Sequence, residues 1–280
     1  MTAVSELPPH TRQQSYRQRS YLMCRPDYFA VSYAINPWMH PEVAVDRQLA
    51  ISQWESLRQT YVSLGHRVET IRPEPGLPDM VFAANGALVI DGVAYGASFR
   101  HPERRPEANA YLTWMGTNGI DRTVEANFTN EGEGDFLLVG EMLLAGTGFR
   151  TDPAAHREAQ QLFGRPVISL QLVDPHYYHL DTALAVLGDD LIAYLPSAFS
   201  PESQRLLGCL FPDAVIASEA DAAVFGLNAV CDGQHVVLPR QAEGLAVQLA
   251  ARGFDPVGVD LSELLKAGGS VKCCTLELRT

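Results

Sequence analysis

The chain has 280 residues, of which 46% are apolar, and a formal net charge of −12, so it is long enough for one large domain with a sizeable core. The negative charge argues against a nucleic-acid partner, because neutralising phosphates requires a basic surface. Five cysteines scattered along the chain match neither a disulfide framework nor the paired spacing of a zinc site.

The first twenty residues are polar and contain no apolar run. We therefore expect a flexible arm over residues 1–20 and a single domain over residues 21–280. No later apolar segment approaches the length that spans a bilayer, and no secretory signal is evident. The sequence predicts a cytoplasmic protein with no membrane partner.

The first patterned segment is a helix predicted within residues 40–65, where apolar residues recur at helical spacing up to Gly65. A strand over 66–73 and a turn rich in proline and glycine follow. Residues 80–98 contain two apolar runs around Asp91-Gly92, a dipeptide typical of a tight β-hairpin. The second half of residues 101–119 predicts another helix.

The same order of elements recurs along the rest of the chain. Hairpins are predicted within 135–148, 180–196 and 227–239, helices within 152–164, 200–212 and 240–253, and single strands within 166–173, 214–218 and 255–261. Alternating strands and helices predict an α/β fold, but the hairpins distinguish it from a doubly wound sheet. A ring of similar ββαβ units fits better. No glycine-rich phosphate-binding motif is present, so we predict no nucleotide cofactor.

Four polar stretches lie at predicted strand edges or loops: LPDMVFAANG, NEGEGDFLL, HYYHLDTAL and GGSVKCCTL. Each by itself has a structural explanation, such as a solvated acidic turn, a hydrogen-bonded histidine or small buried cysteines. Together they supply a cysteine, a histidine and carboxylates, the set that a thiol nucleophile and its acid–base partner require. Loops on a rigid scaffold are common places for such a site.

The order of these stretches resembles that of the guanidine-modifying (pentein) superfamily, which includes arginine deiminases, dimethylargininases and amidinotransferases. Its members carry an aspartate-bearing strand, an E-G-G-D-like turn, H-L-(D/K)-(T/S), and a cysteine after a glycine-rich loop. CRPDYF, INPWM, GFRT and LKAGG are in addition similar to the arginine dihydrolase domain of cyanobacterial type. The resemblance implies a five-bladed pseudosymmetric α/β propeller without metal or cofactor.

The resemblance also implies roles for individual residues. The catalytic candidates are Cys273 as nucleophile, His179 as acid and base, and Glu131 as the partner of His179. Asp79, Asn85 and Asp181 are the candidates for binding the guanidine group. Arg150 is the candidate for binding the α-carboxylate, with Arg100 and Arg104 as weaker alternatives. Asn36 and Asn228 are further candidates for substrate binding. The EGEGD turn is one residue longer than the family's, which leaves the roles of Glu133 and Asp135 open.

The adjacent cysteines are expected to enter a final β-strand. Side chains alternate between the two faces of a strand. The two cysteines are therefore expected to point in opposite directions, and because the resemblance places Cys273 at the family nucleophile, Cys273 faces the site and Cys274 the core.

Asn85 occupies a place where deiminases and dimethylargininases usually carry an aspartate. An amide both donates and accepts hydrogen bonds, so Asn85 could hold a neutral ureido oxygen as well as a guanidinium. Citrulline would then stay bound for a second hydrolysis, which predicts an arginine dihydrolase acting through a covalent thiouronium intermediate and forming ornithine, carbon dioxide and ammonia. The alternatives are a dimethylargininase or deiminase that releases citrulline and, less favoured, an amidinotransferase or a non-catalytic arginine-binding module. The predicted partner is arginine or N-methylated arginine, and assembly into a homo-oligomer is left open.

Overall fold

The computed structural model describes residues 15–280, so most of the predicted N-terminal arm lies outside the described residues. The strands are β1 (Ser20–Cys24), β2 (Arg67–Ile71), β3 (Ala87–Ile90), β4 (Val93–Gly96), β5 (Arg122–Val124), β6 (Phe136–Val139), β7 (Met142–Thr147), β8 (Val167–Gln171), β9 (Leu184–Val186), β10 (Ile192–Tyr194), β11 (Val215–Ile216), β12 (Val230–Cys231), β13 (His235–Pro239), β14 (Asp255–Val259) and β15 (Leu276–Glu277). The α-helices are α1 (Arg47–Ser63), α2 (Arg105–Thr117), α3 (Pro153–Phe163), α4 (Leu180–Ala183), α5 (Pro201–Leu210), α6 (Glu219–Ala222), α7 (Glu243–Ala251) and α8 (Ser262–Leu265).

The strands form five sheets of three strands each. In four of them an antiparallel hairpin is followed by a helix and then by a strand that pairs in parallel with the second hairpin strand. The fifth sheet joins the two ends of the described chain, because β15 pairs antiparallel with β1 and β1 pairs in parallel with β2. This arrangement confirms the predicted five-bladed pseudosymmetric α/β propeller.

Local sequence signals account for several of these elements. Asp91 and Gly92 join β3 to β4 with φ angles of 49° and 72°, as a type I′ hairpin turn requires. Asp46 begins α1 by accepting a hydrogen bond from the backbone N–H of Leu49 at 3.0 Å. The chain leaves α1 just before Gly65, whose φ is +88°, so the predicted helix is confirmed with a later start.

The expected final strand through the two cysteines is wrong, because residues 271–274 form a turn and β15 begins only at Leu276. The N–H of Cys274 donates to the carbonyl of Ser270 at 3.1 Å, a spacing of four residues. Successive side chains in a helical turn lie about 100° apart rather than on opposite faces. Both cysteines are buried, and both belong to the apolar cluster that includes Trp54 and Tyr61 of α1.

Within residues 15–280, none of the helices combines the length and the hydrophobicity that a membrane span requires. The single-domain boundary at residue 21 and the cytoplasmic location stay predictions.

Candidate active site

Five segments that carry functional candidates lie in equivalent places in the propeller, each leading into the first strand of a hairpin. Residues 78–86 precede β3, residues 131–135 precede β6, residues 175–183 precede β9, and Asn228 precedes β12. The segment 268–275 precedes β15 in the blade that closes the ring. The four polar stretches of the sequence therefore occupy structurally equivalent positions in four blades of the propeller.

Hydrogen bonds link these five segments into a closed ring. The links run from Asn85 Nδ2 to Glu131 O (3.4 Å), from Leu180 N to Asp135 Oδ1 (3.0 Å), from Asn228 Nδ2 to Asp181 O (3.0 Å), from Cys273 N to Asn228 Oδ1 (3.1 Å) and from Ala84 N to Cys273 O (3.0 Å). The ring brings residues from distant parts of the chain into one buried cluster, which we call the Cys273 cluster: Asp79, Asn85, Glu131, His179, Asp181, Asn228 and Cys273.

The glycines of the EGEGD turn allow this close approach. Gly132 has a φ of +55°, and a Cβ at this position would lie 2.7 Å from the carbonyl oxygen of Ala84. A Cβ at Gly134 would lie 3.2 Å from the ring of His179 and would overlap the amide of Asn85. Residues other than glycine rarely adopt a positive φ, so position 132 requires glycine. At position 134 a larger residue would collide with His179 and Asn85.

The sulfur of Cys273 is flanked by an amide and a carboxylate. Asn228 Nδ2 lies 3.1 Å from Sγ, and Asp181 Oδ2 lies 3.4 Å from it. Burial and the negative charge of Asp181 raise the pKa of Cys273 well above its ordinary value. The neutral thiol is therefore favoured until a cation lies beside the sulfur.

His179 is held by a buried ion pair. Its Nε2 lies 2.7 Å from Glu131 Oε2, and Arg150 Nη1 lies 2.8 Å from the same oxygen. Burial alone would raise the pKa of Glu131, but the charge of Arg150 and the hydrogen bond from His179 outweigh it and hold this pKa below its usual range. Glu131 therefore stays ionised, and Nε2 of His179 is assigned as the donor to it. This leaves Nδ1 to exchange a proton.

Three buried polar atoms of the Cys273 cluster have no hydrogen-bond partner within residues 15–280: Asp79 Oδ1, Asp181 Oδ1 and His179 Nδ1. Burial raises the pKa of Asp79, and it raises the pKa of Asp181 to about 7 even though Lys272 opposes the shift. Buried polar atoms are normally paired, and an unpaired one is costly. A planar cation with several N–H donors, such as a guanidinium, would supply partners for both carboxylates.

Arg104 sets the orientation of the Asn85 amide. Its Nη1 donates to Asn85 Oδ1 at 2.8 Å, while its Nε and Nη2 bind both oxygens of Glu107 at 3.0 and 2.7 Å. Because an arginine can only donate, the oxygen of Asn85 must face Arg104 and the NH₂ group must face the other way. From the sequence, Arg104 was predicted as a weak candidate for binding the α-carboxylate. In the structure its guanidinium is buried and is bound by Glu107 and Asn85 instead. A sequence signal for this was available in the Arg104–Glu107 spacing of three residues at the start of α2.

The remaining predicted binding residues lie around the Cys273 cluster. Asn36 Nδ2 donates to the carbonyl of Ala267 at 3.1 Å, whereas the side chain of Arg100 is exposed. Arg150 Nη2 donates to the carbonyl of Ile35 at 2.9 Å, and its guanidinium stacks on the ring of Tyr178, 4.6 Å from the centroid. Two of the five N–H groups of Arg150 are therefore already bound to protein acceptors. Its role at the α-carboxylate stays a prediction.

Sequence reasoning missed three residues that shape the site. Tyr178 packs on Arg150 and donates its hydroxyl to the carbonyl of Gly268 at 2.6 Å, in the segment that precedes Cys273. Tyr33 donates to Asp79 Oδ2 at 2.8 Å. Lys272 Nζ contacts Glu133 at 2.5 Å and is the cation that lowers the pKa of Asp181 most. Tyr178 and Lys272 lie within the HYYHLDTAL and GGSVKCCTL stretches but received no role there, and Tyr33 lies outside all four stretches.

Comparison with known proteins identifies the family. A family model described as N,N-dimethylarginine dimethylhydrolase, eukaryotic, matches residues 25–280. The chain belongs to this family. The N(G),N(G)-dimethylarginine dimethylaminohydrolase of Mycobacterium tuberculosis is 59% identical over 262 residues, which are 94% of this chain and 86% of that protein. The bifunctional arginine dihydrolase/ornithine cyclodeaminase ArgZ of Synechocystis is 36% identical over 92% of this chain, but the match covers only 37% of that longer protein.

Solved structures agree with the family assignment. The N-terminal domain of ArgZ, a cyanobacterial arginine dihydrolase crystallised with its substrate, superposes with a TM-score of 0.89 at 35% identity and covers 94% of this chain and 98% of that domain. A dimethylarginine dimethylaminohydrolase adduct superposes at 0.76 with 20% identity and supports the fold alone. The predicted pentein superfamily and hydrolase class, with action on C–N bonds of guanidino groups, are confirmed at this level.

Proposed function

We propose that the protein is an arginine dihydrolase, which converts arginine and two waters into ornithine, carbon dioxide and two ammonia molecules. The observation that carries this proposal is the orientation of Asn85, whose oxygen is taken by Arg104 at 2.8 Å. The amide NH₂ group has only one protein acceptor described, the carbonyl of Glu131 at 3.4 Å. A donor in this position suits the oxygen of a ureido group, which a carboxylate would repel.

Substrate binding starts with charge. The carboxylates of Asp79 and Asp181, whose Oδ1 atoms are unpaired within residues 15–280, accept N–H bonds from the guanidinium. The same positive charge offsets the burial and the carboxylate that keep Cys273 protonated. Binding of the substrate therefore generates the thiolate that attacks it.

The chemical steps then use one sulfur and one imidazole. Cys273 passes its thiol proton to His179 Nδ1 as Sγ bonds to the guanidine carbon. His179 Nδ1 then gives this proton to the departing nitrogen, and the C–N bond breaks to leave a thiouronium and ammonia. His179 then takes a proton from a water that attacks this carbon, and the C–S bond breaks to give citrulline. In a second round the sulfur attacks the ureido carbon, ammonia leaves, and a second water releases ornithine and carbon dioxide.

A dimethylargininase is the second candidate, and the observation that favours it is the 59% identity over 94% of the chain with the mycobacterial protein of that name. In that case dimethylamine leaves in the first round and citrulline is the final product. The same cysteine, histidine and carboxylates would serve both reactions. The two candidates differ in whether citrulline is released or attacked again.

One product assay separates them. The protein is incubated separately with arginine, asymmetric dimethylarginine and citrulline, and ornithine, citrulline and dimethylamine are quantified by mass spectrometry, with Cys273→Ser as the background control. Ornithine from both arginine and citrulline supports the dihydrolase. Citrulline and dimethylamine from dimethylarginine, without ornithine from any substrate, support the second candidate. Turnover of none of the three refutes both.

A further inference from the structure

A buried ion pair ties the EGEGD turn to the turn that carries Cys273. Lys272 directly precedes Cys273, and its Nζ donates to Glu133 Oε2 at 2.5 Å and to the carbonyl of Thr275 at 2.9 Å. Lys272 is 9% exposed and Glu133 is 1% exposed. The two turns are not neighbours in the hydrogen-bonded ring of five segments. We therefore call Lys272 and Glu133 the cross-ring pair.

Glu133 is already fully occupied by protein donors. Its Oε2 also accepts from the backbone N–H of Glu277 at 3.0 Å, and its Oε1 is bound by the guanidinium of Arg279. Burial alone would raise the pKa of Glu133, but the charges of Arg279 and Lys272 outweigh it and lower this pKa. Glu133, whose role the sequence left open, is therefore an ionised anchor for Lys272 rather than a ligand for substrate.

Lys272 is also connected to the reacting groups through its backbone. Its N–H donates to the carbonyl of Asn228 at 3.2 Å. The Nδ2 atom of Asn228 lies 3.0 Å from the carbonyl oxygen of Asp181 and 3.1 Å from Cys273 Sγ. Asp181 Oδ2 lies 3.4 Å from the same sulfur. The buried ammonium and the buried carboxylate of Asp181 thus belong to one hydrogen-bonded cluster, and charges in the protein interior act on each other more strongly than in water.

Asp181 needs a nearby cation to stay charged. It is fully buried, and its Oδ1 has no hydrogen-bond partner within residues 15–280. A buried carboxylate without a cation tends to take up a proton. We propose that the cross-ring pair positions charge for the proposed hydrolysis: Lys272 keeps Asp181 ionised for the guanidinium, and Glu133 holds the Lys272 ammonium in place. The proposal rests on the proposed function in one respect, because it takes Asp181 as an acceptor for the guanidinium.

The electrostatic effects on Asp181 support these roles. Burial raises the pKa of Asp181 to about 7, and Lys272 opposes this rise more than any other charged group. Glu133 acts in the opposite direction and adds to the rise. Further titratable groups that interact with Asp181 are the thiols of Cys273 and Cys274 and the hydroxyl of Tyr178. Each of these groups stays neutral, because burial raises its pKa. The opposed effects of the cross-ring pair can therefore be tested separately.

The test measures the ionisation of Asp181 directly and without substrate. Protein that carries aspartate labelled with ¹³C at the carboxyl carbon is titrated by NMR. The Asp181 signal is the one missing from Asp181→Asn. The variants are Lys272→Met, Lys272→Arg and Glu133→Gln. The control is Lys266→Met, because the chain's other lysine also forms an ion pair, with Glu263 at 2.8 Å. Thermal melting checks that each variant is folded. If Lys272→Met does not fold, Glu133→Gln decides the test, because it preserves the shape of the side chain.

We expect Lys272→Met to raise the titration midpoint of Asp181 by about one pH unit, an effect typical of losing a nearby opposite charge. Glu133→Gln should lower the midpoint, whereas Lys272→Arg and Lys266→Met should leave it close to that of the wild type. The kcat/KM is measured with whichever of arginine and dimethylarginine the wild type hydrolyses. Its acid limb should move with the midpoint, so Lys272→Met should lose roughly tenfold at about pH 6 and little at about pH 9.

The proposal is overturned if folded Lys272→Met titrates at the wild-type midpoint. It is also overturned if Lys272→Met and Glu133→Gln shift the midpoint in the same direction, as a structural loosening would, or if kcat/KM does not follow the midpoint. The NMR measurement separates this proposal from the proposed function. The expected shifts in a protein that forms no ornithine refute the dihydrolase alone, whereas ornithine formation with an unchanged midpoint refutes the roles of the cross-ring pair alone.

Discussion

The substitution Asn85→Asp separates one round of hydrolysis from two. The new carboxylate would keep the bond to Arg104, which spans 2.8 Å in the wild type, because that bond uses an oxygen. It would lose the NH₂ group, which under the proposed function donates to the ureido oxygen of citrulline. Binding of the cationic guanidinium should survive, since a carboxylate accepts N–H bonds well.

The effect should fall on citrulline. Its ureido oxygen would face a carboxylate oxygen with no donor between them, and a buried unpaired oxygen costs about 1–3 kcal/mol before charge repulsion is counted. This corresponds to a factor of roughly five to over a hundred in the retention of citrulline, at about 1.4 kcal/mol per tenfold. The variant should therefore accumulate citrulline from arginine, while the wild type forms ornithine.

The assay follows citrulline and ornithine over time by mass spectrometry, with arginine and then with citrulline as substrate. Asn85→Ala is the matched control, because it removes the donor without adding a charge and should slow the second round less than Asn85→Asp does. The reasoning is refuted if Asn85→Asp forms ornithine at the wild-type rate. It is equally refuted if the wild type forms citrulline as its only product.

Three further predictions test the site. Cys273→Ser should abolish turnover, whereas Cys274→Ser should keep most of it, because Cys273 Sγ is the sulfur that lies beside Asn228 and Asp181. Equal loss in a steady-state assay would contradict this assignment. Burial raises the pKa of Asp181 to about 7, and only the ionised carboxylate binds a guanidinium well. The kcat/KM of the wild type should therefore rise with pH through about 7. A pH profile that is flat in this range would argue against a role of Asp181 in substrate binding. Arg104→Leu should lower the free energy of unfolding by about 3–5 kcal/mol, because it leaves the buried carboxylate of Glu107 without its partner. Arg105 is exposed, so Arg105→Leu should change the midpoint of urea unfolding little. Similar midpoints for both variants would contradict this prediction.

The sequence was sufficient to predict the enzyme class and the repeated unit. Hydrophobic periodicity and turn residues such as Asp91-Gly92 are local signals, and they predicted the hairpins and helices that the structure contains. The motifs around His179 and Cys273 predicted a guanidino-group hydrolase of the pentein superfamily, which the relatives confirm, whereas the thiol chemistry stays a prediction. The prediction of a strand at Cys273 and Cys274 was wrong, because a short apolar run is compatible with a buried turn as well as with a strand.

Only the tertiary structure decided how the polar groups pair. The contacts of Asn85 with Arg104, of Glu131 with Arg150 and of Cys273 with Asp181 join residues that are 19, 19 and 92 positions apart. Local periodicity carries no information about such partners, since a buried arginine and an exposed one have the same sequence signature. The chain alone therefore determined which functional groups are available and on which repeat each one lies. Folding determined which of their atoms are already paired and which remain for a ligand, because that depends on the close approach of segments from all five blades.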